Sequence, residues 1–137
     1  MAHSLRLKER AGDQHQIAVA HSNMAEVERR LNRPREALEH ARRAVEIGEK
    51  AGAHSDLADM YKNMAEASLA LGDIEAALAS GQRAVTLAES TGRVYLADAL
   101  ATLERAMARA HETDAQRWSD AIEAARGAIA KHRGGAS

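Results

Sequence analysis

The chain contains no cysteine and no phenylalanine, and only two tyrosines and one tryptophan supply aromatic rings among its 137 residues. Without cysteine there is no disulfide, no thiolate nucleophile and no cysteine-based zinc or iron–sulfur site. A single proline leaves long stretches free of the residue that most strongly breaks a helix. No apolar run approaches the roughly 18 residues of a membrane-spanning helix, and the opening MAHSLRLKERAGD lacks the apolar segment of a secretion signal. Charge of one sign is missing as well: nineteen basic and twenty acidic residues give a formal charge of -1. Such a balance provides no polybasic field for nucleic acid or an anionic membrane. The expectation is a soluble, cytoplasmic chain with no direct nucleic-acid or membrane partner.

Bulky apolar residues are also few. Alanine accounts for 32 of the 62 apolar residues, and Leu, Ile and Val together number only 22. That share accompanies disorder when net charge is high and periodicity is absent. Here the charge is balanced, and Ala, Leu, Glu and Arg all favour helix, so the fold class expected is all-α.

Shifting the chain by forty residues against itself exposes its organisation. Between residues 17–52 and 57–92, thirteen of thirty-six positions are identical, among them Asn23, Met24, Ala25, Glu26, Ala37, Leu38, Arg43, Ala44, Glu49 and Gly52. Each unit breaks near its middle. Pro34 suits the first turn of a second helix because its missing amide is unneeded there, and Asp73 supplies an N-cap, with Glu75 in the positive first turn. Gly52 and Gly92 stand where left-handed caps would end second helices, whereas Gly48 and Gly81 fall inside helices and permit close contact. One domain over residues 1–137 is expected. It comprises a leading partial unit at 2–11, units at 15–52 and 54–92, and a divergent unit at 94–132 with extra residues lengthening the turn near 112–117. Within the second helices Ala37, Ala41, Ala44 and Gly48 recur at three- and four-residue intervals, as do Ala77, Gly81, Ala84 and Ala88. Met24, Met60, Met64 and Met107 read as fillers between helices, and Trp118 as the anchor of the last helix.

The segments MAEVERRLNRPREALEHARRAV and MAEASLALGDIEAALASGQRAV resemble tetratricopeptide repeats of the longer variety, near forty residues, seen in bacterial regulatory and signalling proteins. The likeness rests on LGD and on the paired small residues Ala37 with Ala44 and Ala77 with Ala84. Ala25 and Ala65 hold the family's common glycine position, with Met24 and Met64 before them. His21 and Tyr61 stand at its tryptophan position, and Glu28 and Ser68 at its tyrosine position. The resemblance implies antiparallel helix pairs stacked into a right-handed superhelix, with a concave groove lined by the first helices. It places Ser22, Asn23, Glu26, Arg29 and Arg30 of the first unit on or beside that groove. Asp59, Lys62, Asn63 and Glu66 follow from the second unit, and Asp98, Arg105 and Arg109 from the third. Asn23 and Asn63 are implied as ligands of peptide backbone, since an amide both donates and accepts.

No chemical kit for catalysis is present: HExxH, triad elements and phosphate-loop glycines are missing. The expected protein is therefore not an enzyme, has no cofactor and no metal, and binds a peptide or helical segment of a protein partner. The alternative is self-association through the terminal helices, or a regulatory scaffold controlling an enzyme or transcription factor.

Overall fold

A computed structural model describes residues 2–91 and 93–133. Six helices follow in order: α1 (Ala2–Arg30), α2 (Pro34–Ala51), α3 (His54–Ala70), α4 (Ile74–Ser90), α5 (Leu96–Asp114) and α6 (Ser119–Arg133). The described residues include no strand.

Left-handed residues close α1, α2 and α3. Asn32 (φ 62°) and Gly72 (φ 79°) turn the chain after α1 and α3. Their conformation lets the Arg33 N–H reach the Glu28 carbonyl at 2.8 Å and the Asp73 N–H reach the Ser68 carbonyl at 2.9 Å. Carbonyls at a helix end lack partners further along the helix, so these bonds end it at little cost. Gly52 (φ 67°) ends α2 in the same manner, with the Ala53 N–H on the Gly48 carbonyl at 2.9 Å. Gly92 lies outside the described residues. Pro34 opens α2 as expected, and the Asp73 carboxylate accepts from the Ala76 N–H at 3.1 Å to cap α4.

Consecutive helices pack against one another, and α3 also packs on both α1 and α5. By contrast α2 and α4 make no close backbone contact among the described residues. The first helices α1, α3 and α5 thus lie side by side, while the second helices are spaced more widely, α4 and α6 meeting through Gln82 on the Ala124 carbonyl and Lys131 on Glu89, which makes the face of α1, α3 and α5 the inner side of the stack. Small residues set the spacing. Ala18, Ala44, Ala58, Ala77, Ala84, Ala99 and Ala106 are fully buried along the seams. A side chain at Gly48 would put its first carbon 2.8 Å from Met60 Sδ and 3.2 Å from Leu57 Cδ2, and one at Gly81 would lie 3.3 Å from Leu103 Cδ1. The glycines inside helices therefore mark close approach.

Three expectations are corrected. The segment 2–11 is not a separate helix, because α1 runs unbroken through Gly12. A glycine inside a helix costs only about 1 kcal/mol relative to alanine, and without a following cap it does not end one. The additional residues of the third unit extend α5 to Asp114 instead of lengthening the turn, leaving only residues 115–118 between α5 and α6. Met24 is no filler: it stands exposed, whereas Met60 is buried and Met64 and Met107 are partly buried against the core.

Truncating Leu103, which is fully buried against Gly81, should cost about 2–5 kcal/mol as Leu103→Ala. Leu31→Ala, at an exposed position, should shift stability by no more than about 0.5 kcal/mol. Urea denaturation of the two variants checks the contrast.

Candidate functional site

Two rows of polar side chains cross the first-helix face, seven residues apart. In one row Asp56 of α3 is central: its Oδ2 lies 2.7 Å from His15 Nε2 of α1, and its Oδ1 accepts from the Tyr95 hydroxyl at 3.3 Å, just before α5. The other row holds Ser22, Asn63 and Thr102. Asn63 Nδ2 donates to Ser22 Oγ at 2.8 Å and to the Ser22 carbonyl at 3.2 Å. Thr102 Oγ1 donates to Glu66 Oε1 at 2.8 Å, and Arg105 forms an ion pair with the same oxygen. Seven residues are close to two helical turns, so both rows fall on one face of each helix. Burial and the nearby Asp56 and Asp59 carboxylates hold the Tyr95 hydroxyl above its usual range, which keeps it a donor.

The groove residues expected from the sequence divide between this internal network and solvent. Ser22 and Asn63 are each only 3% exposed and bond to each other across the helices, which corrects their placement as ligand contacts. Asn23 and Asn63 do not form a ladder. Asn63 has α1 beside it and reaches back to Ser22; Asn23 has no earlier element beside it among the described residues and stays exposed. It borders a recess of about 540 Å³ with Gly12, His15, Gln16, Val19 and Ala20. Glu26 pairs with Arg30 at 2.7 Å, Asp59 with Lys62 at 3.2 Å, and Arg29 is partly buried. Asp98 and Arg109 are exposed. His15, Asp56 and Tyr95 were not anticipated on this face. Their signal was the seven-residue spacing, hidden because the contacting positions lie 41 and then 39 residues apart in sequence and not forty.

The Tetratricopeptide repeat family model matches residues 16–90, more than half of the sequence. The chain belongs to the tetratricopeptide repeat family. Searches of curated proteins and of solved structures give no significant match. The matched segment ends with α4, so this tetratricopeptide repeat protein keeps the family pattern in two units and departs from it where α5 is extended. Among the described residues no helix is long and apolar enough to cross a membrane.

At the family's tryptophan position the two matched repeats differ. The Tyr61 hydroxyl donates to Glu49 Oε1 of the preceding helix at 2.8 Å, while the Arg83 guanidinium lies 5.8 Å from its ring centre. His21 instead meets His40, Nδ1 to Nδ1 at 3.0 Å. Burial first, then the neighbouring His40 and Arg43, lowers the His21 pKa below its ordinary value. One ring must donate and the other accept, so protonating both breaks the bond. On the opposite, second-helix side, Trp118 is partly buried against the core, as expected for an anchor, beneath the Arg117 guanidinium.

Nuclear magnetic resonance titration should find His21 protonating below the ordinary histidine value of about 6.5. His40→Gln should raise it only part of the way, because burial is the larger cause. The unfolded chain then takes up this proton first as pH falls, so stability should decline slightly below about pH 6.5. Asn63→Ala strands the buried Ser22 hydroxyl and should cost about 1–3 kcal/mol in a denaturation experiment.

Proposed function

We propose that this tetratricopeptide repeat protein is a noncatalytic interaction module that takes an extended or helical segment of another protein across its first-helix face. The observation that supports this reading is the prior fixing of that face. Asp56 is held by His15 and Tyr95, Glu66 by Thr102 and Arg105, and Lys62 by Asp59. A ligand would meet side chains that have already lost their rotamer freedom, so little ordering entropy opposes binding.

Above this fixed floor, Asn23 offers an amide that donates and accepts, and Arg105 turns a half-exposed guanidinium outward while Glu66 orients it. Arg109 and Asp98 complete a surface of both signs along α5. Mixed charge selects a ligand of mixed charge and opposes purely acidic or purely basic segments. Control of an active partner by such binding requires no chemistry from this chain.

Photo-crosslinking residues placed at Asn23 and Arg109 should capture a common protein partner, whereas the same residues at Arg42 and Glu123 on the second helices should not. Capture from positions 42 and 123 alone would move the interface to the convex side. Arg109→Glu should weaken the captured partner's binding about tenfold, equivalent to about 1.4 kcal/mol, with helix content unchanged by circular dichroism.

A further inference from the structure

The α1 helix carries a second surface, separate from the first-helix face. Ile17, Ala20, Met24, Val27 and Leu31 follow one another at intervals of three and four residues, the spacing of a seam that receives another helix. Ile17, Met24 and Val27 are 41%, 42% and 46% exposed. The internal repeat shows what this seam is shaped to meet. Forty residues later the same positions are Leu57, Met60, Met64 and Ala67, and there α2 covers them: Gly48 of α2 lies against Leu57 and Met60, while Ala37 and Leu38 pack with Met64 and Ala67.

The polar edge of the seam repeats as well. Beside α3, the Tyr61 hydroxyl donates to Glu49 of α2, and the Arg83 guanidinium lies over the Tyr61 ring. Beside α1 the equivalent positions are His21 and Arg43, which with His40, Glu36 and Glu39 border an open recess of about 320 Å³. Arg43 is exposed, and among the described residues no carboxylate forms an ion pair with it. Glu36 and Glu39 lie toward the start of α2, so an incoming acid is matched only at the Arg43 end.

We propose that the α1 seam docks an α2-like helix of a partner protein: one with small residues at three- and four-residue intervals, followed by a glutamate that meets Arg43, His21 and His40. A second copy stacked head to tail fits less well. In the register of α2, helix α6 presents Ala121, Ala125 and Ala128 in place of Ala37, Ala41 and Ala44, but His132 in place of Gly48 and Arg133 in place of Glu49. The first brings bulk to the closest approach and the second brings like charge to Arg43.

The probe is a blocked synthetic peptide with the sequence of Pro34–Ala51, titrated into the full chain and followed by nuclear magnetic resonance. The proposal expects saturable shifts at Met24, Val27, Leu31 and His21, at least tenfold weaker binding of the peptide carrying Glu49→Lys, and loss of binding in the exposed-site variant Val27→Glu with unchanged helix content. Arg109→Glu in the chain should leave peptide binding unaltered, which separates this site from the first-helix face. Equal binding of the Glu49→Lys peptide would overturn the charge assignment, and binding that survives Val27→Glu would overturn the site. A concentration-dependent dimer dispersed by Val27→Glu would show that a second copy occupies the seam and would overturn the assignment of a partner helix.

Discussion

Close approach of helices through alanine and glycine is the constraint on which the rest of the structure depends. With so few large side chains, each contact stabilises little, since burying a large apolar side chain yields about 1.5–3 kcal/mol and an alanine much less. Stability must come from density: backbones brought near enough for many weak dispersion contacts. Gly48 against Met60 and Gly81 against Leu103 show how near. The long side chains that do enter the core, such as Leu57, Met60 and Leu103, fill the spaces that the small residues open.

A seam built of alanine is smooth, and smoothness leaves the sliding of one helix along another poorly determined. The rows across α1, α3 and α5 supply the missing register. A buried amide such as that of Asn63 has its partner at one relative height only, and a displacement by one turn would strand it at a cost of about 1–3 kcal/mol. The Asp56 row, two turns away, imposes the same height independently. The side chains that hold the helices in register are thus the same ones that stiffen the surface proposed to meet a ligand.

The fold was legible because its signals are local and repeated. A forty-residue shift, Pro34, Asp73 and the recurring small residues identify helices, breaks and seams without reference to distant contacts. The site was less legible, for reasons visible at particular residues. Asn23 and Asn63 are equivalent in sequence but not in environment, since Asn63 has a helix to reach back to and Asn23 stands at the first unit. Glu66 and Arg105 read as groove charges, and only the structure shows that they are one ion pair. Gly12 resembled the cap glycine Gly52, but the helix continues through it, because a cap needs the bonds that follow as well as the glycine itself. The unequal spacing of contacting positions hid His15 and Tyr95 altogether.

The lack of contact between α2 and α4 gives the stack a mechanical character. Its inner side is riveted by polar bonds, and on its outer side α4 and α6 are tied together while α2 and α4 are not, so the first helices act as the spine of a book whose first two pages can spread or close without breaking an outer interface. The angle between the first two helix pairs becomes its least tied coordinate. Under the proposed binding mode, a slender segment and a full helix would be met by different angles between these pairs, with the rivets of the inner side unchanged between them.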